Sequence, residues 1–239
     1  MGDNSLSARD QPEADRIRQL FDRIAPKYDQ LNQDLSFGLH WVWKQMAVDW
    51  SGATSGMNCL DVCCGSGDVA LLLARRVGET GQVTGADFAV EQLAIAATRS
   101  PHLQTRLTWT EADALNLPFD DSCFEAATMA YGLRNLTDIP QGLSELLRVL
   151  EPGAKAAILD FHTPTNPLVK QFQQWYLSTI VVPTAERFEL NEEYAYISPS
   201  VDRFPSGAQQ VKIAQTVGFT HAVHYPLAGG MMGVLVATK

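Results

Sequence analysis

The sequence predicts an α/β fold: a doubly wound, mostly parallel seven-stranded sheet with helices on both faces and an N-terminal helical cap. Three observations predict it. From Met57 to His162, short apolar runs alternate with stretches of helical spacing, the order that gives parallel strands joined by crossover helices. The first of these strands runs straight into a glycine turn, Gly65-Ser66-Gly67, as Rossmann-like sheets do. The C-terminal stretch from Thr216 to Thr238 carries no Asp, Glu, Lys or Arg and splits into two β-type runs, which reads as a buried hairpin and not as a membrane span.

Taken in order, residues 1–11 read as a flexible tail, and residues 12–239 as a single domain. Within that domain, 12–56 form the cap, 57–165 the ligand-binding core, and 166–239 the substrate-side helices and the hairpin. Residues 12–23 place Ile17, Leu20, Phe21 and Ile24 along one side at helical spacing. Residues 39–50 form a second helix with aromatic bulk, and the breaker-rich SGATSGMN separates the cap from the core. MNCLDVC is strand one and DVALLLARRV a helix. GQVTGAD is strand two, followed by the helix AVEQLAIAATRS. RLTWTEAD is strand three and SCFEAATMA strand four. Thr137 or Asp138 can cap the next helix, with Pro140 in its first turn. That helix ends at Leu150 before a turn at EPGAK, and AKAAILDFH is strand five.

Composition narrows the function. Of 239 residues, 46% are apolar and 19% charged, which excludes a disordered chain. A net charge of −9 argues against nucleic acid as a partner, because phosphate contacts want a basic face. A neutral lipid or a cationic ligand stays open. Cys59, Cys63, Cys64 and Cys123 lack metal-type spacing and read as reduced thiols, so no metal or disulfide is expected. The N-terminus has no apolar h-region and is too acidic for a transit peptide. Leu6 argues against myristoylation at Gly2.

Open α/β sheets bind ligands at the carboxyl ends of their strands. The first such end is Asp61-Val62-Cys63-Cys64-Gly65-Ser66-Gly67-Asp68, where Gly65 and Gly67 allow a tight turn and close backbone approach. Gly65, Gly67 and Ala70 also satisfy the dinucleotide fingerprint, which keeps a nicotinamide-dependent oxidoreductase as a rival reading. Asp87 ends strand two, where a carboxylate can hold both ribose hydroxyls. Asp113 ends strand three, with Ala114 beside it, where an adenine edge would lie. Asp61, Asp87 and Asp113 together suit a ligand carrying sulfonium and ammonium charge and suit a pyrophosphate poorly. Charge therefore favours S-adenosylmethionine over NAD.

The runs LDVCCGSGDVA, GADF, EADALNLPFDDSCFEAATMAYGLRN and RVLEPGAKAAILDF resemble class I S-adenosylmethionine methyltransferases. More narrowly, FDRIAPKYDQLNQDLSFGLHWVWK and YAYISPSVDRFP resemble two signatures of the UbiE/MenG quinone-biosynthesis C-methyltransferases, and the similarity runs from about residue 17 to the end. The resemblance implies that Ser66, between Gly65 and Gly67, meets the methionine end of the cofactor. It puts Asp87 on the ribose, Asp113 and Ala114 on the adenine, and Asp61 and Phe88 among the cofactor-binding residues. Ala130 stands where the ubiquinone enzymes of bacteria carry a serine. The family's EFSxP after strand five is here Asp160-Phe161-His162-Thr163-Pro164. The double cysteine resembles the form of photosynthetic lineages, whose product is phylloquinone.

The implied reaction is methylation of a ring carbon. A quinone carbon is electron-poor, so the substrate is expected to be a reduced, prenylated or phytylated naphthoquinol. Demethylmenaquinol and a demethoxy-ubiquinol are the same-class alternatives. Arg134 is expected to stabilise the phenolate or orient a water, and Tyr28 to help close the site. His162, the imidazole at a strand's carboxyl end, is a candidate proton acceptor. Asn32, His40 and Asn135 are candidates for substrate binding. Residues 171–183, helix 39–50 and Met231-Met232 are expected to line a groove for the tail. Partners are the lipophilic quinol, transiently a membrane surface, and in the open case a homodimer. The expected location is cytoplasmic, peripheral to the membrane that holds the quinone.

Overall fold

A computed structural model describes residues 38–99, 105–181, 183 and 197–239. The tail, the helix expected at 12–23 and the residues Tyr28 and Asn32 lie outside the described residues.

Each helix begins and ends where local chemistry dictates. Helix α1 (Leu39–Trp50) coincides with the expected segment and buries His40, Lys44, Ala47 and Val48, one stripe at helical spacing. Strand β1 (Asn58–Val62) leads through the glycine turn into α2 (Asp68–Val77), which starts directly after Gly67 in the left-handed conformation. Asp68 in its first turn and Arg75 and Arg76 in its last complement the helix dipole. Strand β2 (Gln82–Asp87), helix α3 (Val90–Thr98), β3 (Arg106–Glu111) and β4 (Phe124–Ala130) follow. A single 3₁₀ turn, Leu133–Asn135, precedes α4 (Ile139–Val149). Asp138 is the cap of α4: its side chain accepts a hydrogen bond from the Gln141 N–H.

Strand β5 (Leu150–Phe161) starts earlier than the sequence predicts. The expected turn at EPGAK is instead the bulged start of the strand, with a register shift between Phe124 and Ala126 on its neighbour. The reason is tertiary. Gly153 N–H donates to the Lys239 carbonyl and Lys239 N–H to the Ala154 carbonyl, so the chain's last residue holds this stretch extended. Helix α5 (Pro167–Tyr176) continues into a wider π turn, Leu177–Val181. Helices α6 (Ile197–Arg203) and α7 (Gly207–Val217) lead to the hairpin β6 (His221–Leu227) and β7 (Met232–Thr238).

The sheet has seven strands in the order β3-β2-β1-β4-β5-β7-β6. The first five are parallel, and β7 inserts antiparallel between β5 and β6. This is the predicted doubly wound, mostly parallel sheet. Alternation along the strands divides the core. Leu60, Val62, Met129, Ile158 and Leu235 pack with Leu143 and Leu146 of α4. Cys59 and Val83 face the other way, against Val69, Leu73 and Val77 of α2 and Val48 of α1. Each fully buried Leu or Val contributes about 1.5–3 kcal/mol. Because β1 alternates, Asp61 shares the face of Cys59, so its carboxylate emerges beneath α1 and α2.

His162 and His224 stack at the hairpin, ring centroids 4.7 Å apart. His162 Nε2 accepts from the Gly207 N–H at 2.9 Å, so Nδ1 carries the proton and donates to the Gly230 carbonyl at 3.1 Å. Both nitrogens are spent on backbone. The expectation that His162 accepts a proton from substrate therefore fails, because neither nitrogen has a lone pair to offer.

Burial, with His162 beside it, pulls the His224 imidazole down to about 4. The unfolded chain binds that proton near pH 6.5 and the folded chain only near 4. Stability is therefore full above pH 6.5 and declines as pH falls toward 4. We expect the thermal midpoint of the wild type to lose ground to that of His224→Gln as pH falls from 7.5 to 5, a comparison in which the contributions of other titrating groups cancel. A difference between the two midpoints that does not change over this range would show that His224 does not contribute.

Candidate active site

A cleft of about 1110 Å³, counted to its open mouth, lies at the carboxyl ends of β1, β2, β3 and β4. Of the residues expected to bind cofactor or substrate, Asp61, Gly65, Ser66, Asp87, Phe88, Asp113, Ala114, Ala130 and Asn135 line it.

The glycine turn is shaped by hydrogen bonds and by one large ring. Gly67 N–H donates to the Cys64 carbonyl and Cys64 N–H to the Ala86 carbonyl, tying the turn to itself and to β2. Gly67 does not line the cleft. A Cβ there would stand 2.5 Å from the Trp109 ring, and one on Gly85 2.4 Å from the same ring. Glycine at both positions lets Trp109 pack under the turn, so the requirement at Gly67 is for packing and a positive φ as much as for a ligand.

Both oxygens of Asp87 already accept a backbone hydrogen bond before any ligand arrives. Its Oδ2 accepts from Gly65 N–H at 2.7 Å and its Oδ1 from Ala89 N–H at 2.9 Å. It both shapes the turn and presents its remaining lone pairs to the cleft. Asp113 Oδ1 accepts from Leu115 N–H at 2.9 Å, which turns the chain so that Ala114 faces the cleft. Ser66 gives its carbonyl and hydroxyl oxygens to Arg99 Nη1, at 2.8 and 3.0 Å.

Asp61 differs from these. Its Oδ1 accepts from the Thr128 hydroxyl at 2.7 Å, but its Oδ2 is buried with no hydrogen-bond partner among the described residues. Burial pushes its pKa up to about 7. The Thr128 hydrogen bond, the neighbouring Ala70 backbone N–H and the Lys44 ammonium oppose the rise, and Asp87 adds to it. An unmet buried carboxylate oxygen fits a cationic group in the cleft. Asp61, Asp68, Asp87 and Asp113 line the same space, which is hostile to a pyrophosphate.

This gives a pH prediction. In the ligand-free fold the neutral carboxyl of Asp61 is favoured, so its burial weighs against stability as pH rises from 3.8 toward 7. A bound cation favours the carboxylate, and binding then expels a proton. Affinity for a cationic ligand should rise about tenfold per pH unit up to pH 7 and level off above it. Calorimetry across pH 5.5–8.5 checks this. A slope unchanged in Asp61→Asn would assign the proton elsewhere.

Other expected residues are not brought to the cleft. Arg134 does not line it. Nη1 pairs with Asp160 Oδ1 at 2.6 Å and donates to the Tyr131 carbonyl at 2.8 Å, while the guanidinium sits 5.0 Å from the Phe161 ring centroid. Its direct contact with a phenolate is replaced by a hold on Tyr131, which does line the cleft. His40 is buried in the packed face of α1 and does not line the cleft, which Lys44, one turn further along the helix, does. Asn135 donates from Nδ2 to the Tyr131 carbonyl, and its Oδ1 is buried without a partner among the described residues.

Sequence reasoning missed Lys44, Asp68, Gln92 and Tyr131 as lining residues. For Lys44 a signal existed: a lysine four positions after His40 and three before Ala47 shares the buried stripe of an otherwise apolar helix face. The cysteines are all free thiols. Burial pushes the Cys59 thiol up to about 12 and those of Cys63 and Cys64 well above the usual range, so none is poised to react. Among the described residues, no group of three His, Cys, Asp or Glu is placed to hold a metal.

Known proteins match both fold and sequence. A methyltransferase from Aquifex aeolicus described as SAM-dependent superposes with a TM-score of 0.59 at 21% identity, covering 82% of this chain and 88% of that one. A putative S-adenosylmethionine-dependent methyltransferase of Methanococcus maripaludis gives 0.64 at 16%, covering 100% and 97%. At these identities the likeness is one of fold. In sequence, a 2-phytyl-1,4-naphtoquinone methyltransferase of Nostoc sp. is 62% identical over 226 residues, 94% of this chain and 99% of the relative. The Synechocystis sp. enzyme of that name is 56% identical over 98% of this chain and its whole own length. A chloroplastic 2-phytyl-1,4-beta-naphthoquinone methyltransferase of Arabidopsis thaliana is 48% identical over 93% of this chain and 87% of its own. The profile of the ubiE/COQ5 methyltransferase family spans residues 9–239. With an acidic cleft that suits a sulfonium, and that match over nearly all of its length, the chain belongs to the ubiE/COQ5 methyltransferase family and is an S-adenosylmethionine-dependent methyltransferase.

Proposed function

We propose that this chain methylates a ring carbon of a reduced, phytyl-bearing 1,4-naphthoquinol. The observation that carries the reading is the 48–62% identity, over 93% or more of the chain, to relatives named for that substrate. S-adenosylmethionine, when bound, supplies an electrophilic methyl on sulfur. With it bound, a quinol ring carbon would take the methyl as the C–S bond breaks, S-adenosylhomocysteine would leave, and the ring's C–H proton would pass to solvent water as aromaticity returns.

The chain's contribution is placement and exclusion of water. Asp61 and Asp87 hold the cationic and ribose parts of the cofactor. Asn135 offers its buried, unpartnered Oδ1 to a quinol hydroxyl, drawing electron density toward the ring. Tyr131 stands beside it, 5.6 Å from Phe161, and gives the ring an aromatic wall.

The tail and the membrane belong to the same proposal. Helix α5 leaves Leu168, Phe172, Trp175 and, in the turn beyond, Ile180 exposed, while α1 exposes Leu39, Trp41 and Val42. Exposed aromatic and aliphatic side chains on two helices support transient, peripheral contact with the bilayer that dissolves the substrate. Among the described residues, no helix is long and apolar enough to cross a membrane.

The test is transfer of labelled methyl from S-adenosylmethionine to a panel of demethylated quinones, each offered oxidised and reduced. Label is expected in the reduced phytyl-naphthoquinol. Equal transfer to the oxidised form, or preference for a benzoquinol, would overturn the assignment.

A further inference from the structure

We propose that Lys44, on the cap helix α1, receives the carboxylate of the cofactor's methionyl group and makes the enzyme selective for the intact amino-acid end. The inference rests on S-adenosylmethionine as the cofactor and concerns a residue outside the glycine turn and the strand-end acids.

The charges of the cleft pose the problem that Lys44 answers. Asp61, Asp68, Asp87 and Asp113 line it, and Lys44 is the sole cation among its described lining residues. The methionyl end of the ligand carries an ammonium and a carboxylate. The ammonium suits the acids. The carboxylate would lie among acidic side chains unless a cation were fixed beside it.

Lys44 has the capacity to be that cation. It is 4% exposed, and its ammonium makes one hydrogen bond among the described residues, to Asp68 Oδ2 at 2.6 Å. An ammonium has three donors, and leaving two unused in a buried position is costly. Asp68 does not need Lys44 for neutrality, because Arg99 Nη2 pairs with its other oxygen at 2.6 Å. Arg99 also holds both oxygens of Ser66, so Arg99, Asp68 and Lys44 form a strut from the glycine turn to α1. The ammonium lies 5.5 Å from the Trp41 ring centroid and 5.9 Å from that of Tyr131, which confines it. Among the described residues, Asp61 Oδ2 is an acceptor without a donor, and Lys44 Nζ meets one acceptor, Asp68, for its three N–H bonds. Both line one cleft, and an α-amino acid carries the complement of both.

The experiment compares S-adenosylmethionine with its decarboxylated form, which keeps the ammonium and the sulfonium. Calorimetry on the wild-type full chain should show the intact cofactor bound about tenfold or more tightly. Lys44→Met should weaken the intact cofactor by about that factor, leave the decarboxylated form unchanged and so erase the discrimination; Lys44→Arg should retain it. Equal weakening of both ligands by Lys44→Met would reduce Lys44 to a strut and overturn the proposal. Wild-type protein that binds both forms equally would overturn it without any variant, so a misfolded Lys44→Met does not shelter it. Wild-type protein that binds neither would overturn the cofactor assignment along with it.

Discussion

Arg134→Ala is expected to lower the unfolding free energy by about 3–5 kcal/mol and to abolish most turnover with it. The pair it belongs to is dry: the side chains of Arg134 and Asp160 are 6% and 4% exposed. Asp160 also accepts from the backbone N–H of Arg134 and of Phe161, so the carboxylate is built into the junction of β4, the 3₁₀ turn and β5. Removing the guanidinium leaves that charge buried with amide donors alone. It also leaves the Tyr131 carbonyl with the Asn135 amide as its remaining side-chain donor, and Tyr131 sits at a φ of 61°, a conformation that persists only when its surroundings impose it. Denaturant titration and turnover should fall together. The variant Arg134→Met/Asp160→Leu, which removes both charges but leaves the two amides without that acceptor, should regain part of the stability while turnover stays low, because the Tyr131 carbonyl still lacks its charged donor. A single variant that unfolds at the wild-type denaturant concentration would show that the pair carries no such weight.

Asp87→Ala should raise the dissociation constant for S-adenosylhomocysteine about 100-fold or more. Lost ribose contacts are only part of the effect. The two backbone hydrogen bonds at 2.7 and 2.9 Å are charge-assisted, each worth about 1.5–3 kcal/mol, and they hold the Gly65 end of the turn in its bound shape. Asp87→Asn keeps one acceptor oxygen for those amides and should land between the two. Calorimetric affinity unchanged in Asp87→Ala would mean that the ribose lies elsewhere.

Much of this molecule was legible in its sequence because the signals are local. The span of α1 follows from the periodicity of LHWVWKQMAVDW, and that of α2 from a glycine on either side of an amphipathic run. The strand-end acids Asp61, Asp87 and Asp113 were legible because parallel strands must deliver their last residues to one edge of the sheet. The start of β5 was not, since EPGAK reads as a turn until Lys239, at the far end of the chain, pairs with it. The roles of Arg134 and His162 were misjudged for a similar reason. Position at a strand tip says that a side chain is near the site; whether it faces the cleft depends on partners distant in sequence, Asp160 for the one and Gly207 and Gly230 for the other.

The sequence by itself determined the order of the elements, the acidic character of the strand tips and the class of ligand that such tips attract, because periodicity, turn chemistry and charge reside in neighbouring residues. Only the tertiary structure decided which of the charged and polar side chains are already spent on the protein and which still have capacity to offer. His162 is spent on backbone and Arg134 is held by Asp160 and Tyr131, whereas among the described residues Asp61 and Asn135 each keep a buried oxygen without a partner and the Lys44 ammonium meets only Asp68. Hydrogen-bonding capacity is used up by whatever lies within about 3 Å, and in a parallel sheet those neighbours come from segments far apart in the chain.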